Sequence, residues 1–240
     1  MTDGYRVRFR LADVAIDAKL NFEKTVRFLG AYLEEAAGEA DLCVEVTEKD
    51  LAKERQRSEK PFSDEYLETL ALYRKIAEEI PRFGIVLMHG SALSMDGEGY
   101  LFTAKSGTGK STHARRWREA FGERVAMIND DKPLLRATED GIIVYGTPWD
   151  GKHRLSANTG VRLKAIAYLT RAKDNRIEPV GKDEMLPILL QQIYRPETPK
   201  ALGFTMKVIE RITDNVDFYH LFANMDEEAA RVAYAGMKGE

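Results

Sequence analysis

The sequence predicts an α/β protein built on a mixed sheet flanked by helices and preceded by a small α+β unit, and three observations predict it. An apolar run, Tyr100 to Thr103, empties into the loop Ala104-Lys105-Ser106-Gly107-Thr108-Gly109-Lys110-Ser111 and then into a helix-like segment. That is the strand, loop, helix order of a phosphate-binding P-loop. Two tight-turn signals, Asp96-Gly97-Glu98-Gly99 and Glu139-Asp140-Gly141, join pairs of short apolar runs and read as hairpins. Strands and helices follow one another without a regular βαβ beat, which favours a mixed sheet over a doubly wound parallel one.

Taken in order, Tyr5 to Leu11 alternates apolar residues with Arg6, Arg8 and Arg10, as a half-buried strand does. Asn21 is placed to cap a helix carrying Phe22, Val26, Leu29, Leu33 and Ala36 and ending at Gly38. Leu42 to Val46 is a second strand with Cys43 as a small buried residue, and Thr47 with Asp50 forms a capping box. Lys53 to Lys60 reads as a charged connector closing a first domain over 1–60. The second domain, 61–240, opens with Ser63 as N-cap and with Phe62 and Leu67 placed as a hydrophobic staple. Its first helix stops at Pro81, and Gly84 to His89 is expected as a strand beside the P-loop strand.

After the P-loop helix, Lys110 to Phe121, comes a buried strand, Val125 to Ile128, ending in Asn129-Asp130-Asp131. His113, Arg115 and Arg116 read as the outer face of that helix. A polar loop follows the second hairpin, Gly146-Thr147-Pro148-Trp149-Asp150-Gly151-Lys152-His153-Arg154, in which Trp149 is equally suited to anchor the loop or to stack on a ligand. Leu163 to Leu169 reads as a strand, Ala172 to Lys182 as a loop, Asp183 to Tyr194 and Lys200 to Ile212 as helices, and Phe218 to Phe222 as a strand. A last helix runs to Met237 from Asp226 as cap.

The bulk properties narrow the function classes. With 36 basic and 39 acidic residues among 240, the net charge is −3 and neither sign is gathered into a long run, so a nucleic-acid surface is not expected. No apolar run approaches bilayer length, and residues 1 to 6 lack the apolar core of a signal peptide. One cysteine permits no internal disulfide framework. A soluble cytoplasmic protein is the expectation.

The chemistry follows from the motif. Ser106, Gly107, Thr108 and Gly109 offer backbone N–H groups to an anion, the helix N-terminus adds positive charge, Lys110 reaches terminal phosphates and the Ser111 hydroxyl holds Mg²⁺. Asp130-Asp131, just past a buried strand, sits where P-loop proteins place a further acidic Mg²⁺ contact, and adjacent strand-end residues point in different directions. One acid then serves the metal while the other orients or deprotonates a hydroxyl.

Met88-His89-Gly90, the hairpin, Ala104 to Ser111 and Asp130-Asp131, in this order and at these separations, resemble the nucleotide core of the HPr kinase/phosphorylase and phosphoenolpyruvate (PEP) carboxykinase superfamily. The Gly146-Thr147-Pro148-Trp149 loop and Lys152-His153-Arg154 are similar more specifically to small HPr-kinase-related bacterial proteins of unassigned substrate. The resemblance implies a PEP carboxykinase-like P-loop domain using ATP and Mg²⁺. It implies Asp131 as base assisted by His89, Lys110 on the phosphates, and Ser111 and Asp130 on the metal, with Thr112 beside them at the nucleotide; Lys152, His153 and Arg154 are suited by their charge to clamp the nucleotide phosphates or an anionic acceptor at the mouth of the site. Thr112 stands where HPr kinases carry an acidic residue, as in the carboxykinases. The expected activity is phosphoryl transfer from ATP to a hydroxyl acceptor, a serine of a small protein or peptide or a small molecule. The alternatives are a non-catalytic nucleotide-binding module and a carboxykinase-like enzyme. Homo-oligomerisation is a further expectation from the related enzymes.

Overall fold

The computed structural model describes residues 4–239. Residues 1–3, part of the segment read above for a signal peptide, and residue 240 lie outside the described residues. The chain divides into two compact units, one ending at Ile80 and the other starting at Pro81.

In the first unit, β1 (Tyr5–Leu11) and β2 (Val14–Leu20) form a hairpin. Ala12 and Asp13 turn it with φ of 46° and 61°, as a two-residue hairpin turn demands. β2 escaped the sequence reading because its small Ala15 and Ala18 blur the alternation. Helix α1 (Glu23–Leu29), β3 (Leu33–Glu34), β4 (Leu42–Glu45), α2 (Glu48–Arg57) and α3 (Asp64–Glu79) follow, and the sheet order is β3-β1-β2-β4. The helix expected to reach Ala36 stops at Leu29, before Gly30 at φ 48°.

Asn21 is not its cap. The amide donates to Val46 O at 2.9 Å and to Glu68 Oε1 at 2.8 Å, while the fully buried Glu68 also accepts the N–H groups of Asn21 and Phe22. A cap supplied from 46 residues away leaves no local trace. Thr47 and Asp50 do form the capping box. Cys43 is exposed, because β4 turns Leu42 and Val44 inward and its alternate residues outward. Ser63 caps α3 by accepting from Tyr66 N, whereas Phe62 is 47% exposed and lies against the Tyr66 ring at 4.9 Å instead of serving as a staple. Leu67, Leu72 and Ile76 of α3 are buried, and α3 packs on α2, α1 and β4. The division between units therefore falls after residue 80, one helix later than the expected boundary at 60.

The second unit comprises β5 (Ile85–Leu87), β6 (Ser91–Met95), β7 (Glu98–Thr103), α4 (Lys110–Phe121), β8 (Val125–Asn129), β9 (Leu134–Thr138), β10 (Gly141–Tyr145), β11 (Gly160–Arg171), β12 (Arg176–Pro179), α5 (Lys182–Gln192), α6 (Pro199–Asn215), β13 (Asp217–Ala223) and α7 (Glu228–Met237). Among the described residues these strands form a mixed sheet with the path β5-β9-β10-β11-β7-β6-β8, and β13 joins β11 with β12 outside it. β11 runs parallel to β7 and β13, and the remaining pairs are antiparallel. β5 pairs with β9 and not, as expected, with the P-loop strand, whose neighbours are β6 and β11. Residues 172–182, read as loop, contain β12, a strand too short and too charged to show a period.

Alternation along the central strands fills two cores. Leu101 and Ile166 pack with Met185, Leu189, Val208 and Ile212 of α5 and α6. Tyr100, Phe102, Ala165 and Ala167 pack with Trp117 of α4 and with Ala229, Ala230 and Ala233 of α7. The sheet thus carries helices on both faces. No helix among the described residues is long and apolar enough to cross a membrane.

Candidate functional site

The site assembles at one sheet edge for a topological reason. β7 and β8 each run antiparallel to the intervening β6, so their C-terminal ends emerge together, and β6 begins between them with Ser91 paired to Phe102 and Ala92 to Asn129. β7 delivers the P-loop and β8 the two aspartates. Met88, His89 and Gly90 link β5 to β6, and Gly90 N donates to Asp131 O at 3.1 Å. Any Cβ on Gly90 would lie 2.9 Å from Leu101 Cδ2 and 3.1 Å from Phe102 O, so a side chain there would force its neighbours to shift.

Within the P-loop, Gly109 precedes α4 at φ 119°, a backbone state that side chains rarely adopt. The first-turn N–H groups of Lys110 and Ser111 have no intrahelical acceptor by position. Ala104, standing at the usual first glycine of the motif, is fully buried in the core beside Trp117, which explains why a methyl group is accommodated there. Lys110 is only 8% exposed and its Nζ donates to Ala104 O at 3.2 Å. Burial pulls the Lys110 pKa down, with Asp131 and Asp130 pulling the other way. From outside, the Arg171 guanidinium donates to Thr108 O at 2.8 Å and Gly107 O at 2.6 Å. Ser106 is exposed and Thr112 half-buried on either side of this turn.

The adjacent aspartates occupy different environments. Asp130, 7% exposed, accepts the Ser91 hydroxyl at 2.7 Å, and its carboxylate lies near the Ser111 hydroxyl, with which it lines one cavity. Burial pushes its pKa up against the pull of those hydroxyls. The Asp131 side chain is 36% exposed, with Oδ1 3.3 Å from Lys132 Nζ and 3.5 Å from His89 Nε2. Buried Asn129 fixes the divergence. Its Oδ1 accepts the N–H groups of Asp131 and Lys132 at 2.9 and 2.7 Å, and its Nδ2 donates to Thr147 O at 3.0 Å.

His89 Nδ1 lies 3.2 Å from Gln192 Oε1. The ring thus turns Nδ1 to Gln192 and Nε2 to Asp131. Burial lowers the His89 pKa, helped by Lys132 and Lys110 and opposed by Asp131 and Gln192.

The loop cluster divides. His153 lines a cavity of about 330 Å³ together with Ser111, Thr112 and Asp130. Lys152 is exposed, and Arg154, at φ 51°, places Nη1 3.8 Å from Asp150 Oδ1. Trp149 is 8% exposed and so anchors the loop. His113 is a correction: it is 4% exposed, accepts Trp117 Nε1–H at 3.0 Å and lies edge-on to Phe102, inside the core and not on an outer face.

Four residues of this site went unmarked in the sequence. Asn129 adjoins the acidic pair and Ser91 follows the His-Gly dipeptide, so proximity to the motifs was their only signal. Gln192 and Arg171 arrive from α5 and β11, and nothing local announces them.

The donor set suits one kind of metal. Among the described residues no three His, Cys, Asp or Glu side chains come together to hold an ion. Mg²⁺ needs no such cage, because it keeps several waters and takes one or two protein oxygens beside substrate phosphates. The Ser111 hydroxyl and the Asp130 carboxylate, which line the same cavity, fit that pattern.

No family model matches the chain. No curated protein matches it in sequence. Among solved structures, those that match include the Hpr(Ser) kinase/phosphatase from Coxiella burnetii, at 13% identity and a TM-score of 0.35, over 64% of this chain and 99% of that one.

Proposed function

We propose that the chain is an ATP-dependent phosphotransferase that moves a phosphoryl group to a hydroxyl acceptor. One observation carries the reading: a P-loop lysine, a buried aspartate beside the P-loop serine, and an exposed aspartate facing a histidine ring nitrogen meet at a single sheet edge. Bound Mg²⁺-ATP supplies the electrophilic phosphorus and the ADP leaving group, the new O–P bond forming as the old one to the β-phosphate oxygen breaks. The amides of residues 106–111 bind the phosphates, and Lys110 holds its positive charge where negative charge grows in the transition state. Ser111 and Asp130 offer oxygens for the metal, Ser91 keeping the Asp130 carboxylate aimed.

Asp131, partly exposed, takes the proton of the incoming hydroxyl. His89 stands 3.5 Å from the same carboxylate and, held by Gln192, fixes its orientation. The acceptor hydroxyl belongs to a small protein, a peptide or a small molecule.

The test is titration of a fluorescent ATP analogue with Mg²⁺ into the wild type and Lys110→Ala. The substitution is expected to weaken binding by roughly tenfold or more, the scale of one charge-assisted contact. Equal affinities would contradict the reading.

A further inference from the structure

The cavity beside the P-loop extends past the residues assigned to nucleotide and metal. Along α4 it runs from Ser111 and Thr112 at its upper end to Arg115 and Arg118 at its lower end, and Asp130 and His153 also line it. Ala114, Met127 and Leu155 give it an apolar floor. Positions 111, 115 and 118 recur at helical spacing, so they line one stripe of the helix. Seven residues separate Ser111 from Arg118, a rise of roughly 10 Å.

The cations at the lower end are weakly committed. Arg118 Nε is buried and has no hydrogen-bond partner in the protein. Such a donor, a charged one above all, costs free energy unless something accepts from it. Arg115 has only Glu119 near it, at 3.7 Å and with both side chains largely exposed, a pair that contributes little. The same Glu119 makes its closer contact, 2.6 Å, with Arg116, which also donates to Met225 O and so is occupied outside the cavity. Asp130 is the acidic residue lining the cavity, and it sits at the opposite end.

We propose that this cavity is the anion-recognising half of the acceptor site. The molecule phosphorylated carries, apart from its reacting hydroxyl, a carboxylate or phosphate group held by Arg115 and Arg118. The inference rests on the phosphotransferase reading, because Ser111 and Asp130, the metal's oxygens in that reading, put the cavity's upper end beside the transferring phosphate. The apolar floor accommodates the linking carbon chain, and the arginines fix its register, so that a hydroxyl compound without the distant anion is a poor acceptor.

The probe is radiolabelled inorganic phosphate in equilibrium dialysis against the full chain saturated with Mg²⁺ and AMPPNP, a non-hydrolysable ATP analogue that fills the P-loop. One phosphate per chain is expected. Arg115→Gln/Arg118→Gln is expected to weaken that binding by about tenfold or more while AMPPNP affinity stays within about twofold. Arg118→Lys, which keeps the charge, is expected to retain most of it, and matching thermal melts establish that the variants are folded.

Phosphate uptake indifferent to the arginine pair would overturn this inference alone. So would a parallel loss of AMPPNP affinity, which hands the cavity to the nucleotide. Failure of the wild type to bind AMPPNP at all would overturn the proposed function and this inference with it. Competition by citrate or by an acidic serine peptide then separates a small-molecule acceptor from a peptide, and displacement by neutral glycerol as readily as by citrate would contradict the requirement for an anion.

Discussion

At the scale of single residues, the site depends on side chains that keep charged groups in place without touching a reacting atom. Ser91→Ala removes a buried charge-assisted hydrogen bond from Asp130, which predicts a loss of roughly 1–3 kcal/mol in urea unfolding. A change within error would mean that the carboxylate finds another donor. His113 gives a pH prediction of definite sign. Burial pushes its pKa from 6.5 down to about 3, so between those values the unfolded chain binds a proton that the folded chain excludes. Stability contributed by the neutral ring is complete above about 6.5 and falls as pH drops toward 3, by an amount on the order of 4 kcal/mol at the acid end. His113→Gln keeps an acceptor for Trp117 Nε1–H and does not titrate. Melting temperatures followed from pH 7 to 4 are therefore expected to fall less steeply in that variant, and parallel curves would contradict the assignment.

At the scale of elements, the P-loop helix α4 and the strand β8 behave as their sequences foretell, because glycine, helix period and a terminal acidic pair are local signals. What they are attached to was not legible. The strand expected beside β7 turned out to be β6, and β5 pairs at the other end of the sheet path. His89 still reaches Asp131 because the three-residue link Met88-His89-Gly90 carries β5 into β6, and a side chain at Gly90 would crowd Leu101 and Phe102 there. The α1 helix was misjudged for the same reason: its N-terminus is satisfied by Glu68 from α3, a partner invisible to any short window. Arg171 is the long-range partner of the P-loop itself. Arg171→Ala frees the carbonyls of Gly107 and Thr108, and roughly three- to tenfold weaker ATP binding is expected, with faster amide exchange over residues 105–109. Unchanged affinity and exchange would show that the loop holds its shape alone.

At the scale of the whole molecule, two compact units share one chain, and every residue placed at the site belongs to the unit beginning at Pro81. The mixed α/β architecture was readable from hairpins and the missing βαβ beat. The position of α3 was not, because its apolar stripe says that it packs but not on what. A ligand of the native site stabilises the part that binds it, so Mg²⁺-ATP is expected to raise the calorimetric transition of the second unit with nucleotide concentration.

The division of labour between the two aspartates is tested most directly by Asp131→Asn, with Mg²⁺-ATP affinity and turnover of γ-labelled ATP measured on the same preparation. The predicted result is affinity within about twofold of wild type and turnover lower by roughly a hundredfold or more, as befits loss of a general base. Turnover equal to that of the wild type at unchanged affinity would contradict the account.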